Sequence, residues 1–224
     1  MFDPNRGELA GKERELTVPR RDARNPVFND VPAAVIVLTG AIVIVSVLVE
    51  VSRPAAEAVL QWAAFVPAYA LDRPGPAPAI APWFLHVFVH ANWPHLIINA
   101  LGLLAFGTAA ARPFGTGAKG FAGFIGFFFI CALAGAAAQY AIDSDSMIAM
   151  VGASTGISGC LVAAGWARGG IRGMASMALP WLAINLVFAA IGTQMWIAIA
   201  WAAHIGGLLA GVTLYPVFLA VFRR

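Results

Sequence analysis

Three polar clusters interrupt an otherwise apolar chain, and their residue types suit acyl transfer. The first runs from His86 through His90 and His95 to Asn99, the second from Gly152 through Ser154 to Ser158 and Gly159, and the third from His204 through Gly207 to Gly211. A serine hydroxyl becomes a nucleophile when a neighbouring imidazole takes its proton. Ser154 therefore reads as nucleophile and His204 as general base. His95 and Asn99 stand four residues apart, on one helix face. Two hydrogen-bond donors placed that way suit a tetrahedral oxyanion, and glue between helices is their alternative role. Gly207 and Gly211 form a small-xxx-small pair, one turn beyond His204, that lets helices pack closely. Packing of that helix on the glycine-rich segment around Gly152, Gly156 and Gly159 would bring His204 to Ser154.

Other chemistries fit less well. His86, His90 and His95 have no HExxH pattern and no Asp or Glu among them, so no metal site is expected. Asp143 and Asp145 fall in a loop rather than beside His204, so the reading is a Ser–His dyad. Packing around the ring then replaces the orienting carboxylate. Ser158 competes as nucleophile, within Gly156-Ile157-Ser158-Gly159. Ser154 is preferred because it stands at a helix entry, with Ser158 one turn, about 5.4 Å, deeper.

The elements that must hold these groups are membrane spans. Apolar residues make up 60% of the 224 positions and charged residues 11%, well outside the range of soluble domains. Val31–Val49 and Gly120–Ile142 are uncharged over 19 and 23 residues, each about enough to cross ~30 Å of hydrocarbon. Leu96–Ala111 and Met147–Ala167 supply two more spans. Gly173–Phe222 runs 50 residues without a charge, about 75 Å of helix, and divides at Gly192-Thr193-Gln194 into two. The expected fold is all-α, a polytopic membrane bundle of six helices over residues 31–222. Residues 1–30, polar and with three prolines, form an expected cytoplasmic tail. No apolar core precedes Val31, so no signal peptide is expected. Cys131 and Cys160 fall within spans, and no disulfide is expected.

Charge sets the orientation. Twelve Lys and Arg lie in the tail, after spans two and four, or at the C-terminus, against Arg53 and Arg73 in the alternate connections. Both termini are therefore expected in the cytoplasm. Spans two, four and six then run the same way, and all three clusters share the outer half of the bilayer. Polar groups at that depth are costly and mark function. A fourth span running from Ser154 to just before Arg168 has 14 residues, about 21 Å, roughly 9 Å short of a full crossing. Ser154 would then sit below the outer surface, in a recess whose irregular backbone needs protein cover or water.

The pattern resembles the rhomboid family of intramembrane serine proteases over roughly residues 31–222. It carries His90, His95 and Asn99 at His-x4-His-x3-Asn spacing, Gly152 and Ser154 as Gly-x-Ser, and His204, Gly207 and Gly211 as His-x2-Gly-x3-Gly. The resemblance implies an endopeptidase with Ser154 as nucleophile and His204 as base. It also implies that His95, Asn99 and the Ser154 N–H surround the oxyanion; Gly152, Gly207 and Gly211 are expected, from residue type and spacing, in helix packing. Implied substrates are membrane proteins cut in or near a transmembrane helix. The implied surroundings are the lipid bilayer, in the bacterial inner membrane, with no cofactor, metal or nucleic acid. A catalytically inactive rhomboid-like protein that binds membrane helices is the alternative. The chain departs from the family in three places. It has Pro82-Trp83 without the arginine that many relatives pair with a tryptophan, Ala111 where bacterial relatives often carry Glu, and Ser158 where an aromatic residue often covers the catalytic histidine.

Overall fold

The computed structural model describes residues 31–191 and 199–223. Among these, five helices are long and apolar enough to cross a bilayer: Ala33–Val51, Trp93–Phe114, Ala118–Ile142, Ser154–Ile191 and Trp201–Phe222. The fourth has 38 residues and loses helical backbone at Gly169 (φ −156°, ψ 25°) and Gly170 (φ 57°, ψ −140°). A straight helix of that length would reach about 57 Å, nearly twice the ~30 Å hydrocarbon thickness. The break, flanked by Arg168 and Arg172, divides it into span four (154–168) and span five (171–191). Six crossings result, in an all-α bundle. The expected division at Gly192-Thr193-Gln194 lies outside the described residues.

Local chemistry fixes several boundaries. Span two, Trp93–Phe114, begins where Asn92 Oδ1 accepts the His95 N–H at 2.9 Å, with Pro94 in the first turn, where a missing N–H costs nothing. That cap decides that His95 lies on the first turn and Asn99 one turn on. In the connection between spans one and two, Ser52 and Pro54 start a short helix, Arg53–Ala63. Arg73 closes its other end by donating to the carbonyls of Ala64 and Gln61, both at 2.8 Å. Arg73, ten residues before Trp83, thus ties down this connection. Trp83 fastens it further, donating to the Ala70 carbonyl at 3.0 Å and standing edge-on to Phe65.

Span six, Trp201–Phe222, packs along spans three and four, and small residues make the seam. A Cβ at Gly206 would lie 2.5 Å from the Ala138 Cβ, and one at Gly211 would lie 2.6 Å from the Gly159 Cα. A Cβ at Gly207 would run into the Thr155 carbonyl oxygen. At the far end from the polar clusters, Tyr215 is fully buried between Phe114 and Phe127. Its hydroxyl donates to the Ala110 carbonyl at 2.8 Å, fastening span six to span two beside Ala111, where bacterial relatives often carry Glu.

Tyr215→Phe keeps the ring and removes that bond. The expected loss is about 1 kcal/mol of stability, read as a lower melting temperature in detergent with unchanged helical content.

Candidate active site

The entry to span four is held from both sides by the segment that precedes span two. Gly152 donates its N–H to the His86 carbonyl at 2.9 Å. Its φ of +116° belongs to the region that glycine alone enters freely. A Cβ there would also stand 2.8 Å from both Cε1 and Nε2 of His95. The His86 ring lies between the Pro82 carbonyl, 3.0 Å from Nδ1, and the Thr155 hydroxyl, 3.2 Å from Nε2. The carbonyl can only accept, so His86 carries its proton on Nδ1 and accepts from Thr155. His90 works the same way. Its Nε2 accepts the Ala153 N–H at 3.4 Å, its Nδ1–H donates to Ser46 Oγ at 2.9 Å, and Ser46 donates to the Phe88 carbonyl at 2.9 Å. Residues 152, 153 and 155 are thus each fixed, and Ser154 between them turns its side chain toward span six.

There it meets His204. Ser154 Oγ lies 2.9 Å from His204 Nε2, and the two residues are 50 positions apart. The other ring nitrogen, Nδ1, lies 2.8 Å from Asn185 Oδ1 in span five. Asn185 Nδ2 donates to the Trp181 carbonyl at 2.8 Å, which orients the amide with its oxygen toward the ring. His204 therefore carries its proton on Nδ1 and presents a lone pair at Nε2 to the Ser154 hydroxyl. The Trp181 indole covers the ring, with centroids 5.7 Å apart and planes inclined by 36°.

The other expected residues fall around this pair. His95 stands against Gly152, two residues before Ser154, and is half-buried. Asn99 is buried and uses one amide hydrogen on the His95 carbonyl at 2.9 Å. Gly207 admits the Thr155 carbonyl and Gly211 admits Gly159, so spans four and six touch just beyond the Ser–His contact and again one turn on. Gly156 faces span three instead, where a Cβ would come 2.5 Å from the Phe128 ring. Ser158 is buried away from His204. It donates to the Ser154 carbonyl at 2.8 Å and accepts the Trp181 indole N–H at 3.0 Å.

A part-buried serine–histidine contact thus sits inside a six-span bundle with glycines at the seam. Comparison with protein families matches residues 78–221 to the Rhomboid domain. The chain belongs to the rhomboid family. It is an integral membrane protein with a rhomboid fold, and no curated protein matches it.

Two residues that shape this rhomboid's site escaped the sequence reading, Asn185 and Trp181. No carboxylate in the sequence suits the second nitrogen of His204, since Asp143 and Asp145 lie in a loop. The available signal was an amide, the sole Asn in 171–191, four residues after a tryptophan and so on the same helix face. Trp181 also takes the place above His204 that an aromatic at position 158 would fill.

Gly152→Ala brings both a disfavoured φ and a collision with His95. The expected result is a displaced Ser154, seen as loss of serine labelling well beyond any fall in melting temperature. A pH effect follows from His86, in the connection before span two, whose burial pushes its imidazole down to about 4. An unfolded chain binds that proton below its ordinary value near 6.5, while the folded protein refuses it. Stability is therefore complete above about pH 6.5 and declines as pH falls toward 4, and His86→Gln should flatten that part of the melting profile.

Proposed function

We propose that this rhomboid is an intramembrane serine endopeptidase that hydrolyses peptide bonds in or near transmembrane helices of other membrane proteins. The observation that carries the reading is the 2.9 Å contact between Ser154 Oγ and His204 Nε2, in a ring whose tautomer leaves Nε2 free to accept. An inactive rhomboid-like protein needs no such alignment.

In the proposed reaction the Ser154 hydroxyl attacks the scissile carbonyl as His204 Nε2 takes its proton. The carbonyl oxygen becomes an oxyanion, stabilised by the Ser154 N–H at the start of span four and by His95 and Asn99. Asn99 has a second amide hydrogen beyond the one bound to His95. Collapse breaks the C–N bond, His204 gives its proton to the departing amine, and an acyl-serine remains. Water, deprotonated by the same imidazole, then releases the acid. Charge distribution supports an orientation with both termini cytoplasmic and the site toward the outer leaflet. A bacterial inner membrane is the proposed location.

Ser158 has a different place in this scheme, since its hydroxyl is committed to the Ser154 carbonyl and the Trp181 indole. Ser154→Ala should abolish both fluorophosphonate labelling and cleavage of a membrane-helix substrate without unfolding the protein. Ser158→Ala should keep a substantial fraction of both, and the reverse pattern would overturn the assignment. His95→Ala and Asn99→Ala should each slow single-turnover cleavage by about ten- to a hundredfold (~1.4–2.7 kcal/mol), less than a soluble protease loses with one oxyanion donor because two others remain. If both variants cut at the unaltered rate per folded molecule, they serve only as helix glue.

A further inference from the structure

We propose that Asn185 is a positioning residue of the site, holding His204 through Nδ1 so that Nε2 faces Ser154, a role that rests on the Ser154–His204 reading above. Asn185 is fully buried, whereas its neighbours Ile184, Leu186 and Val187 are about half exposed on the lipid side of span five. Its side chain is directed inward and spends both ends on named partners, the oxygen on His204 and the nitrogen on Trp181. Those bonds extend into a closed circuit. From Ser154 Oγ it passes through His204 to Asn185, then to the Trp181 carbonyl. It leaves Trp181 by the indole N–H to Ser158 Oγ and returns to the Ser154 carbonyl. Spans four, five and six are joined in that one circuit.

The residue type suits the medium. A carboxylate would orient the imidazole equally well, and burying its charge at membrane depth is costly. A neutral amide supplies the same acceptor without that cost. As His204 takes the serine proton, the Nδ1–H bond to Asn185 becomes charge-assisted and strengthens. The Trp181 face, with its centroid 5.7 Å from that of the ring, lies within the ~6 Å over which an aromatic attracts a cation. Both effects grow as the transition state is approached, which is where they accelerate the reaction. The competing role, an asparagine that merely ties helices together, makes no demand on the tautomer.

The test uses full-length protein with 15N-labelled histidine in detergent, with the His204 signal identified by its loss in His204→Gln. The unaltered protein should show His204 protonated on Nδ1, and a ring protonated on Nε2 instead would overturn the proposal before any variant is made. Asn185→Leu should mix the tautomers and slow fluorophosphonate labelling per folded molecule by about ten- to a hundredfold, at or below the range a general base contributes. Asn185→Asp keeps an oxygen in place and should label faster than Asn185→Leu. An Asn185→Leu protein that melts lower, yet keeps the Nδ1–H tautomer and the full labelling rate, would show that the residue is only glue. Failure of the unaltered protein to label, with a tautomer that still depends on Asn185, would sink the nucleophile assignment and uphold the hold on His204.

Discussion

A backbone carbonyl, that of Thr155, occupies the space where any side chain on residue 207 would have to go. The site depends on this contact. Lipid tails are as apolar as leucine, so helices in a bilayer gain little from burying apolar surface against each other. They associate through close packing and hydrogen bonds. Removing the Cβ at 207, and again at 211 where Gly159 approaches, lets span six settle against the backbone of span four. At that separation a side chain as short as histidine reaches a serine hydroxyl at 2.9 Å. One methyl group at the seam would push the two apart by more than a hydrogen bond tolerates.

The same medium explains how the surroundings of Ser154 are built. Without water to receive unpaired polar groups, each must find a protein partner. The backbone entering span four cannot be helical and still turn Gly152 to a φ of +116°. Its N–H groups go instead to the carbonyl of His86 and the ring of His90. Two further backbone bonds join Phe65 to Met150, at 3.2 and 2.7 Å, so that the long first connection and the segment 143–153 brace each other. Neutral imidazoles, hydroxyls and amides do this work with no charge to desolvate. The irregular backbone around Ser154 is thereby tied to the segment before span two.

Span five links this framework to His204. Trp181 and Asn185 lie one turn apart, so a single helix face meets His204 with an aromatic plane and a hydrogen-bond acceptor. Ser158 belongs to the same arrangement, since it anchors the indole N–H to the helix that carries Ser154. A serine at 158 and a tryptophan at 181 thus form one device. Its aromatic part comes from a neighbouring span rather than from the turn after Ser154.

Spans, polar clusters and the meeting of Ser154 with His204 were legible from sequence because each depends on local properties. A bilayer demands about 20 apolar residues per crossing, arginines at 168 and 172 flank a break, and polar side chains in such a chain stand out. Residue type and order in the chain therefore determined the all-α bundle and named Ser154, His204, His95 and Asn99. Asn185, Tyr215 and Arg73 were not legible in the same way. Each acts through a carbonyl or ring nitrogen outside its own helical turn, 9 to 105 positions away, and nothing near residue 185 specifies which helix its face will meet. Only the tertiary structure decides that, because the rotation of span five about its axis is fixed by packing against spans four and six, and that rotation turns one amide toward His204 and its neighbours toward lipid.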